Sequence, residues 1–277
     1  MARFNICLVK PDNYIHSFAF LELGELLYFS LQELGHEVTF GFNNLEPTAT
    51  NILIGCHLLD PSFITQIPPS TIILNTEQIY GETDWNKPIF DWAKHFQIWD
   101  YSPKNIEKLN QMGIERTRLL KIGFQKELAR LNSNKSKEVD VLFYGSVNER
   151  RKIVLDGLEA RGLKVKVLFG VYGKERDEWI ERSKVVLNHH YYESQIFEII
   201  RVFYLLTNSV AVVGEVNKTT SIDSIYQDGI YASQYEDLIS DCVELVNHQA
   251  LRVQFQEKAL AAISKYPQAL FTQEALS

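Results

Sequence analysis

Short apolar runs alternate with segments of helical periodicity along this chain, and the alternation begins twice. Residues 130–138, between the two series, are polar and lack periodicity, which is typical of a linker. Strand–helix alternation favours parallel sheets covered by helices and joined by right-handed crossovers. We therefore predict an α/β protein with two Rossmann-like domains that face a central cleft. The expected domains are residues 1–125 and 139–265, with a linker at 126–138 and a tail at 266–277 that returns to the first domain.

The individual elements follow from the apolar pattern and from the helix start and stop signals. Before the linker we expect strands at 5–9, 37–40, 51–55, 71–74, 96–99 and 117–121, and helices at 20–34 and 103–112. After it we expect strands at 139–144, 165–169, 185–187 and 210–213, and helices at 150–160, 174–181, 197–206, 235–246 and 251–265. In such a fold, ligands bind at the carboxyl ends of the strands.

The composition of the chain argues against several classes of function. The net charge of −7 and the lack of a basic block argue against a nucleic-acid partner, which requires clustered Lys and Arg. Apolar runs fall short of the ~20 residues of a transmembrane helix, and the N-terminus lacks the pattern of a signal peptide. Three scattered cysteines fit reduced thiols. We expect a cytoplasmic protein with no transmembrane segment.

A glycine ends the first apolar run after the linker. Gly145 follows residues 139–144 and precedes a predicted helix by a few residues. Glycine lets a ligand approach the backbone, and the free N–H groups of a helix start attract phosphate oxygens. Together with Ser146, Arg150 and Arg151 it forms a candidate phosphate site, because arginine adds charge-assisted hydrogen bonds. The alternative is an ordinary strand–turn–helix with solvated arginines.

The next strand leads into a loop that contains two glycines around an aromatic residue. Gly170 and Tyr172 belong to this loop, at residues 169–173. The loop is a candidate pocket for a nucleobase ring. An ordinary turn with Tyr172 on the surface is the competing interpretation.

The third strand delivers polar and aromatic residues to the same edge. Asn188, His189 and Tyr191 are candidates for hydrogen bonds to phosphate or sugar hydroxyls. The neighbouring His189 and His190 do not predict a metal site, because adjacent side chains of an extended segment point to opposite faces. We expect no metal ligands here.

Two carboxylates and an arginine complete the candidate site. Glu198 and Arg201 are three residues apart, so on a helix they share one face. A structural ion pair between them is one interpretation, and contact with ligand hydroxyls or phosphate is the other. Glu215 follows the next predicted strand and shares its carboxyl edge.

The first half offers two candidates for a general base. His16 lies in the loop after the first strand, and its imidazole titrates near neutral pH. Glu77 follows the fourth predicted strand. Trp85, Trp92 and Trp99 lie nearby in the chain and are expected mainly to pack in the core.

The second half resembles the donor-binding half of GT-B fold glycosyltransferases of the "group 1" type. The resemblance rests on residues 143–151, which look like the first strand and phosphate loop of that family. It extends to 183–188, similar to the strand that leads to the donor site, and to 197–215, similar to the helix and strand of the acidic donor motif. Together these segments cover roughly residues 139–215.

The resemblance implies roles for particular residues. Arg150 or Arg151 would contact the donor diphosphate, and Glu198 would stand for one of the two glutamates of the acidic motif. Tyr204 occupies the place of the second glutamate, and Ser146 occupies the place of the basic residue of the family. The fold usually works without a bound metal, and the lack of an Asp-x-Asp triplet in this sequence agrees with that.

The sequence thus predicts a metal-independent, hexosyltransferase-like glycosyltransferase. A nucleoside-diphosphate sugar would be the co-substrate, with no other cofactor, and the first domain would bind the acceptor, which is a glycan, a peptide or a small molecule. Two alternatives remain. One is a binding protein for sugar nucleotides without turnover, and the other is a sugar-nucleotide epimerase on the same fold.

Overall fold

The structure, a computed structural model, describes residues 1–79, 87–132, 135–192 and 195–277. The chain divides into two compact units, unit 1 (residues 1–125 and 266–277) and unit 2 (residues 126–265). Each unit is built on one parallel β-sheet. The predicted α/β class with two parallel-sheet domains is therefore confirmed. Residues 126–138, which the sequence predicted as a linker, belong to unit 2.

Unit 1 contains a six-stranded sheet in the order β2-β1-β3-β4-β5-β6. The strands are β1 (Arg3–Leu8), β2 (Glu37–Phe42), β3 (Thr50–Ile54), β4 (Ile72–Asn75), β5 (Gln97–Asp100) and β6 (Thr117–Leu119). Among the described residues, three α-helices fall between them in the chain, α1 (Leu21–Glu33), α2 (Lys87–His95) and α3 (Pro103–Gln111). Ser102 accepts a hydrogen bond from the Asn105 amide and Pro103 follows it, so α3 begins where the sequence predicted.

Helix α2 was not predicted from the sequence. Pro88 in its first turn suits a helix start, and the buried Ile89, Phe90, Trp92 and Ala93 follow helical spacing. Trp92 and Trp99 are fully buried, as expected of core side chains. Trp85 lies outside the described residues.

Unit 2 contains a five-stranded sheet in the order β11-β10-β9-β7-β8. The strands are β7 (Val139–Tyr144), β8 (Val165–Leu168), β9 (Ser183–Asn188), β10 (Val212–Glu215) and β11 (Tyr231–Ser233). The helices are α4 (Glu149–Ala160), α5 (Gly173–Glu181), α6 (Ile199–Thr207), α7 (Ser224–Gln227), α8 (Leu238–Asn247) and α9 (Gln249–Ile263). The short β11 and α7 were not predicted.

The last helix, α10 (Gln268–Leu276), belongs to unit 1. The hydroxyl groups of Thr272 and of Ser30 on α1 lie 2.9 Å apart in a buried hydrogen bond. The Gln268 carboxamide accepts from the Gly123 amide at 2.6 Å and donates to the Lys121 carbonyl at 3.2 Å. Polar side chains thus fix the terminal segment against the first unit.

The strand registers bring the carboxyl ends of each sheet to one edge. In unit 1, Asn75 pairs with Asp100 and Asp100 pairs with Leu119. In unit 2, Tyr144 pairs with Leu168 and Asn188 pairs with Gly214. The segments that follow these strands therefore meet, and this edge is where α/β proteins bind ligands. Across the described residues, none of the helices is long and apolar enough to cross a membrane.

Candidate functional site

Gly145, directly after β7, has a backbone conformation that other residues rarely adopt. Its φ is 134°, and a Cβ built there would lie 2.8 Å from a terminal nitrogen of Arg201. Glycine therefore allows the Arg201 guanidinium to approach the backbone closely. Three residues later, the Asn148 side chain accepts from the Arg151 amide at 3.0 Å and caps α4.

Arg151 and Arg201 both lie against the aromatic ring of Phe143. Their guanidinium carbons are 5.1 Å and 5.9 Å from the ring centroid. Arg151 is buried and donates to the carbonyls of Ser146, at 2.8 Å, and His189, at 2.5 Å. Burial and the like charge of Arg201 lower the pKa of Arg151 to about 9. The two guanidinium groups thus repel each other.

Glu198 places a carboxylate close to this pair. It immediately precedes α6, and its side chain lies 3.7 Å from Arg151 and accepts from Asn188 at 2.9 Å. His190 approaches it at 3.3 Å. Burial alone would raise the pKa of Glu198, but the His190 hydrogen bond and the charges of Arg201 and Arg151 outweigh burial and lower it to about 2. Glu198 is therefore ionised at neutral pH.

The predicted i,i+3 relation between Glu198 and Arg201 takes a different form. Glu198 precedes the first helical residue instead of lying within the helix, so the two side chains do not share a helical face. Arg201 instead donates to the Asn188 side chain at 3.1 Å, and Glu198 accepts from the same amide group. Asn188 therefore connects the two residues at the end of β9.

Arg150 is bound to a second carboxylate, Glu215. Glu215 is the last residue of β10 and is fully buried. Both terminal nitrogens of Arg150 donate to it, and the His190 amide and Asn217 donate to the same carboxylate at 2.9 Å and 2.6 Å. The Arg150 guanidinium also lies 3.9 Å from the ring centroid of Tyr235. This neutralised pair supports the site, and the sequence had not paired these residues.

Within the part of the chain that the structure describes, the charges of this cluster do not balance. Three guanidinium groups, of Arg150, Arg151 and Arg201, face two carboxylates, of Glu198 and Glu215. One positive charge remains when the histidines are neutral. Because a partly buried charge without compensation is unfavourable, an anion bound beside Arg201 would stabilise this arrangement.

The two neighbouring histidines face different surroundings. The His189 ring is fully buried and stacks on Phe143 at 5.1 Å. Burial and the nearby charge of Arg151 lower its pKa to about 3, so it stays neutral. His190 lies between Glu198 and the Thr220 hydroxyl, at 3.3 Å and 3.1 Å. His189 was predicted to contact the ligand, but its ring is fully buried against Phe143.

The remaining candidates of unit 2 lie around this edge. Gly170 has a φ of 70°, and Tyr172 is half-buried just before the first residue of α5. Tyr191 is exposed, and its ring centroid lies 5.2 Å from the guanidinium of Arg151. Ser146 is exposed, and its carbonyl accepts from Arg151.

Tyr204 occupies a buried position on α6. Its hydroxyl donates to Asp177 at 2.9 Å and accepts from Arg130 at 3.1 Å. The Arg176 guanidinium lies 4.9 Å from its ring centroid and binds Asp177 at 2.6 Å. The side chain that replaces the second glutamate of the resembled family thus joins α6 to α5 and to the segment around Arg130.

In unit 1, Glu77 lies at the carboxyl edge of the sheet. Its carboxylate is 3.5 Å from the Nε2 atom of His57, and both side chains are largely buried. His16 makes an edge contact with the ring of Tyr14 at 5.3 Å. His57 was not predicted from the sequence, because it lies in a three-residue 3-10 helix after β3 that has no periodic signal.

No group of three or more potential metal ligands among His, Cys, Asp and Glu occurs within the four described ranges.

The curated relatives of the chain are viral proteins. Uncharacterized protein L137 of Acanthamoeba polyphaga mimivirus is 26% identical over 228 residues, which cover 79% of this chain and 31% of that protein. Uncharacterized protein L140 of the same virus is 28% identical over 194 residues, which cover 67% of this chain and 59% of that protein. This chain thus spans less than two thirds of the length of either relative. No protein-family profile matches it.

Several solved structures have a fold similar to that of this chain. The β-glucosyltransferase of T4 phage, a DNA-modifying enzyme solved with and without its substrate uridine diphosphoglucose, superposes with a TM-score of 0.63 at 12% identity and covers 99% of this chain and 98% of its own. WaaG, a glycosyltransferase of lipopolysaccharide biosynthesis, superposes with a TM-score of 0.60 at 10% identity, and the match covers 98% of both chains. S. aureus TarM, solved as a mutant with UDP among its ligands, gives 0.58 at 13% identity over 92% of this chain and 58% of its own.

These neighbours are GT-B glycosyltransferases, and the chain has the GT-B fold. At identities of 10–13% this likeness defines the architecture alone. The T4 enzyme has also been solved with UDP and Mn²⁺.

Proposed function

We propose that this protein is a glycosyltransferase that moves a sugar from a nucleoside-diphosphate sugar to an acceptor bound by unit 1. The observation that carries the proposal is the excess positive charge at Gly145, where, among the described residues, two guanidinium groups flank one ring and the Glu198 carboxylate lies close to them. A diphosphate supplies the missing negative charge. The GT-B fold, shared with enzymes solved with UDP or UDP-glucose, supports the proposal.

Within this proposal, Arg201 is the principal diphosphate ligand. Its guanidinium donates to the neutral Asn188 amide and lies near the rings of Phe143 and Tyr144, and the side chain is half-buried beside Gly145. Arg151 holds the Ser146 carbonyl and so shapes the loop. Arg150 is assigned a supporting role instead of the phosphate contact expected from sequence, because Glu215 takes both of its terminal nitrogens.

The acidic side chains have a separate proposed role. Glu198 is ionised and lies between Asn188 and His190, so its oxygens can accept hydrogen bonds from sugar or ribose hydroxyls. Gly170, Tyr172 and Tyr191 would surround the nucleoside. Arginine charges would stabilise the departing diphosphate without a metal.

A second candidate function is sugar-nucleotide binding without turnover. Tyr204 favours it, because the hydroxyl that replaces a carboxylate is already hydrogen bonded to Asp177 and Arg130. A protein of this kind would bind the donor through Arg201 and release no nucleoside diphosphate.

A screen of nucleoside diphosphates and their sugars tests the proposal. A ligand that binds only the folded state raises the melting temperature by mass action. We expect such a shift with at least one sugar nucleotide, followed by release of its nucleoside diphosphate in the presence and absence of EDTA. Binding without release would support the second candidate, and no binding to any member would refute both.

A further inference from the structure

His190 places a titratable imidazole inside the charge cluster of unit 2. The residue lies two positions after the end of β9, and its side chain is 2% exposed. Its Nδ1 atom lies 3.3 Å from the Glu198 carboxylate, and its Nε2 atom lies 3.1 Å from the Thr220 hydroxyl group. A hydroxyl group can both donate and accept, so Nε2 has a partner in the neutral ring and in the protonated ring. The surroundings therefore accommodate both states of His190.

Charged groups face His190 from several elements of unit 2. Glu198 precedes α6, and Glu215 at the end of β10 accepts from the His190 amide at 2.9 Å. Arg150, on α4, donates to the His190 carbonyl at 3.1 Å, and the two other arginines of the cluster act on the same Glu198 carboxylate. The loop after β10 also carries Lys218, which is exposed. Among the described residues, Glu198 supplies the carboxylate that contacts the His190 ring.

The ligand of the proposed site carries more charge than the cluster balances. Among the described residues, three guanidinium groups face two carboxylates, so one positive charge remains while the histidines are neutral. The diphosphate of a sugar nucleotide carries one negative charge on each of its two phosphates. The filled site would therefore hold one negative charge too many, which is unfavourable in a partly buried position. A nearby negative charge favours the protonated form of an imidazole, so a bound diphosphate and Glu198 act on His190 in the same direction.

The neighbouring His189 is not suited to take up a proton. Burial and the charge of Arg151 lower the pKa of His189 to about 3, and its ring stacks on Phe143. Neither of its ring nitrogens has a hydrogen-bond partner among the described residues. A protonated His189 would bury two N–H groups without an acceptor, which is costly. His190, whose ring already contacts a carboxylate, carries no such cost.

We propose that His190 takes up a proton when a nucleoside-diphosphate sugar binds to unit 2, and so supplies the last positive charge of the filled site. This role rests on the donor binding of the proposed function and does not require transfer of the sugar. The proton comes from the solvent and binds to Nε2, because Nδ1 already directs its proton at Glu198. The Thr220 hydroxyl then changes from donor to acceptor and can direct its own proton at the Gln195 carboxamide oxygen, 3.5 Å away. Three guanidinium groups and one imidazolium then face two carboxylates and two phosphates.

Calorimetry in buffers of different ionisation enthalpy counts the protons that binding takes up. UDP-glucose, or whichever sugar nucleotide binds in the screen of nucleoside-diphosphate sugars, is titrated at pH 7.5. Arg151, whose pKa is about 9, stays charged there, and the phosphates of the ligand do not titrate. We expect uptake of roughly half to one proton per ligand. Because the complex holds the extra proton, the donor Kd should rise by up to about tenfold for each pH unit between about pH 6.5 and pH 8.

Two variants assign the proton to a residue. His190→Gln keeps an N–H donor for Glu198 but has no titratable ring, so its proton uptake should fall to near zero and its Kd should not change with pH. His248→Gln removes an exposed histidine of unit 2 and should keep the wild-type uptake. Equal uptake in His190→Gln and the wild type would overturn the assignment to His190, and no uptake by the wild type would overturn the proposal.

Nitrogen-15 NMR of the histidine-labelled wild type provides a readout that does not depend on the folding of a variant. At pH 7.5 the His190 ring should change from a neutral imidazole with its proton on Nδ1 to an imidazolium as the ligand saturates the protein, while His189 stays neutral. A His190 ring that remains neutral in the saturated protein would contradict the proton uptake.

The outcomes separate this proposal from the one beneath it. A wild type that binds no sugar nucleotide refutes the proposed function and this role together. A wild type that binds and turns over the donor without proton uptake refutes this role alone. Proton uptake on binding without release of nucleoside diphosphate supports this role and the second candidate function.

Discussion

A guanidinium nitrogen of Arg201 lies 2.8 Å from the position that a Cβ would occupy at Gly145. These residues are far apart in the chain, on α6 and directly after β7, and the fold brings them together. Gly145 has a backbone φ of 134°, which favours glycine, and its lack of a side chain leaves room for the Arg201 guanidinium.

Gly145→Ala should weaken nucleotide binding by at least about tenfold, the equivalent of one lost charge-assisted hydrogen bond. The new methyl group displaces the Arg201 guanidinium, and the strained backbone lowers the free energy of unfolding by about 1–3 kcal/mol. Gly162→Ala is the matched control, because Gly162 also has a positive φ, of 80°, but no atom within 4 Å of the new methyl group. Calorimetry should show reduced affinity in Gly145→Ala alone, and equal affinity in both variants would contradict the close approach.

Arg150→Ala should reduce the free energy of unfolding by about 3–5 kcal/mol, because it leaves the buried Glu215 carboxylate without its cation. Arg182→Ala, which removes an arginine from an exposed pair with Glu138, is the control and should change stability little. Urea denaturation of the two variants measures the difference. Similar losses in both would show that the Arg150–Glu215 pair does not support unit 2.

Some of this site followed from sequence. Apolar runs and helix signals depend on local periodicity, and they placed the strand that ends at Tyr144, the start of α4 and the candidates Asn188 and Arg201. The direction in which a side chain points does not depend on local periodicity. Arg150 was expected at the phosphate but reaches Glu215, which is 65 residues further along the chain.

Other features were predicted incorrectly or not at all. Glu198 was expected on a helix, but α6 begins one residue later, and helix ends are the least certain boundaries in a sequence. His57 lies in an isolated 3-10 turn, and its relation to Glu77 depends on the order of β3 and β4 in the sheet. Helix α2 was missed although its apolar residues have helical spacing.

Glu198→Gln should have a lower free energy of unfolding than the wild type, and the difference should depend on pH. The folded-state pKa of Glu198, about 2, lies below the usual value of 4.5, so ionisation favours the folded state. That contribution is fully present above about pH 4.5 and is lost as the pH falls toward 2. The urea midpoints of the two proteins should therefore converge between pH 6 and pH 3. A constant difference over that range would exclude an ionised, stabilising Glu198.

Tyr204→Phe should lower the free energy of unfolding by about 1–2 kcal/mol, since it removes hydrogen bonds to Asp177 and Arg130. Nucleotide affinity should stay within about twofold of wild type if the hydroxyl serves only the structure. Thermal denaturation and calorimetry on the same preparation separate the effects. Weaker binding with unchanged stability would make Tyr204 a ligand instead.

Calorimetric titration of UDP into Arg201→Ala tests the central claim most directly. The control is Arg161→Ala, which removes the same charge from an exposed residue of unit 2 at the end of α4. We expect Arg201→Ala to lose roughly 10- to 100-fold in affinity with an unchanged melting temperature, while Arg161→Ala binds like the wild type. Wild-type affinity in Arg201→Ala, with the fold intact, would contradict a diphosphate site at Gly145 and Arg201.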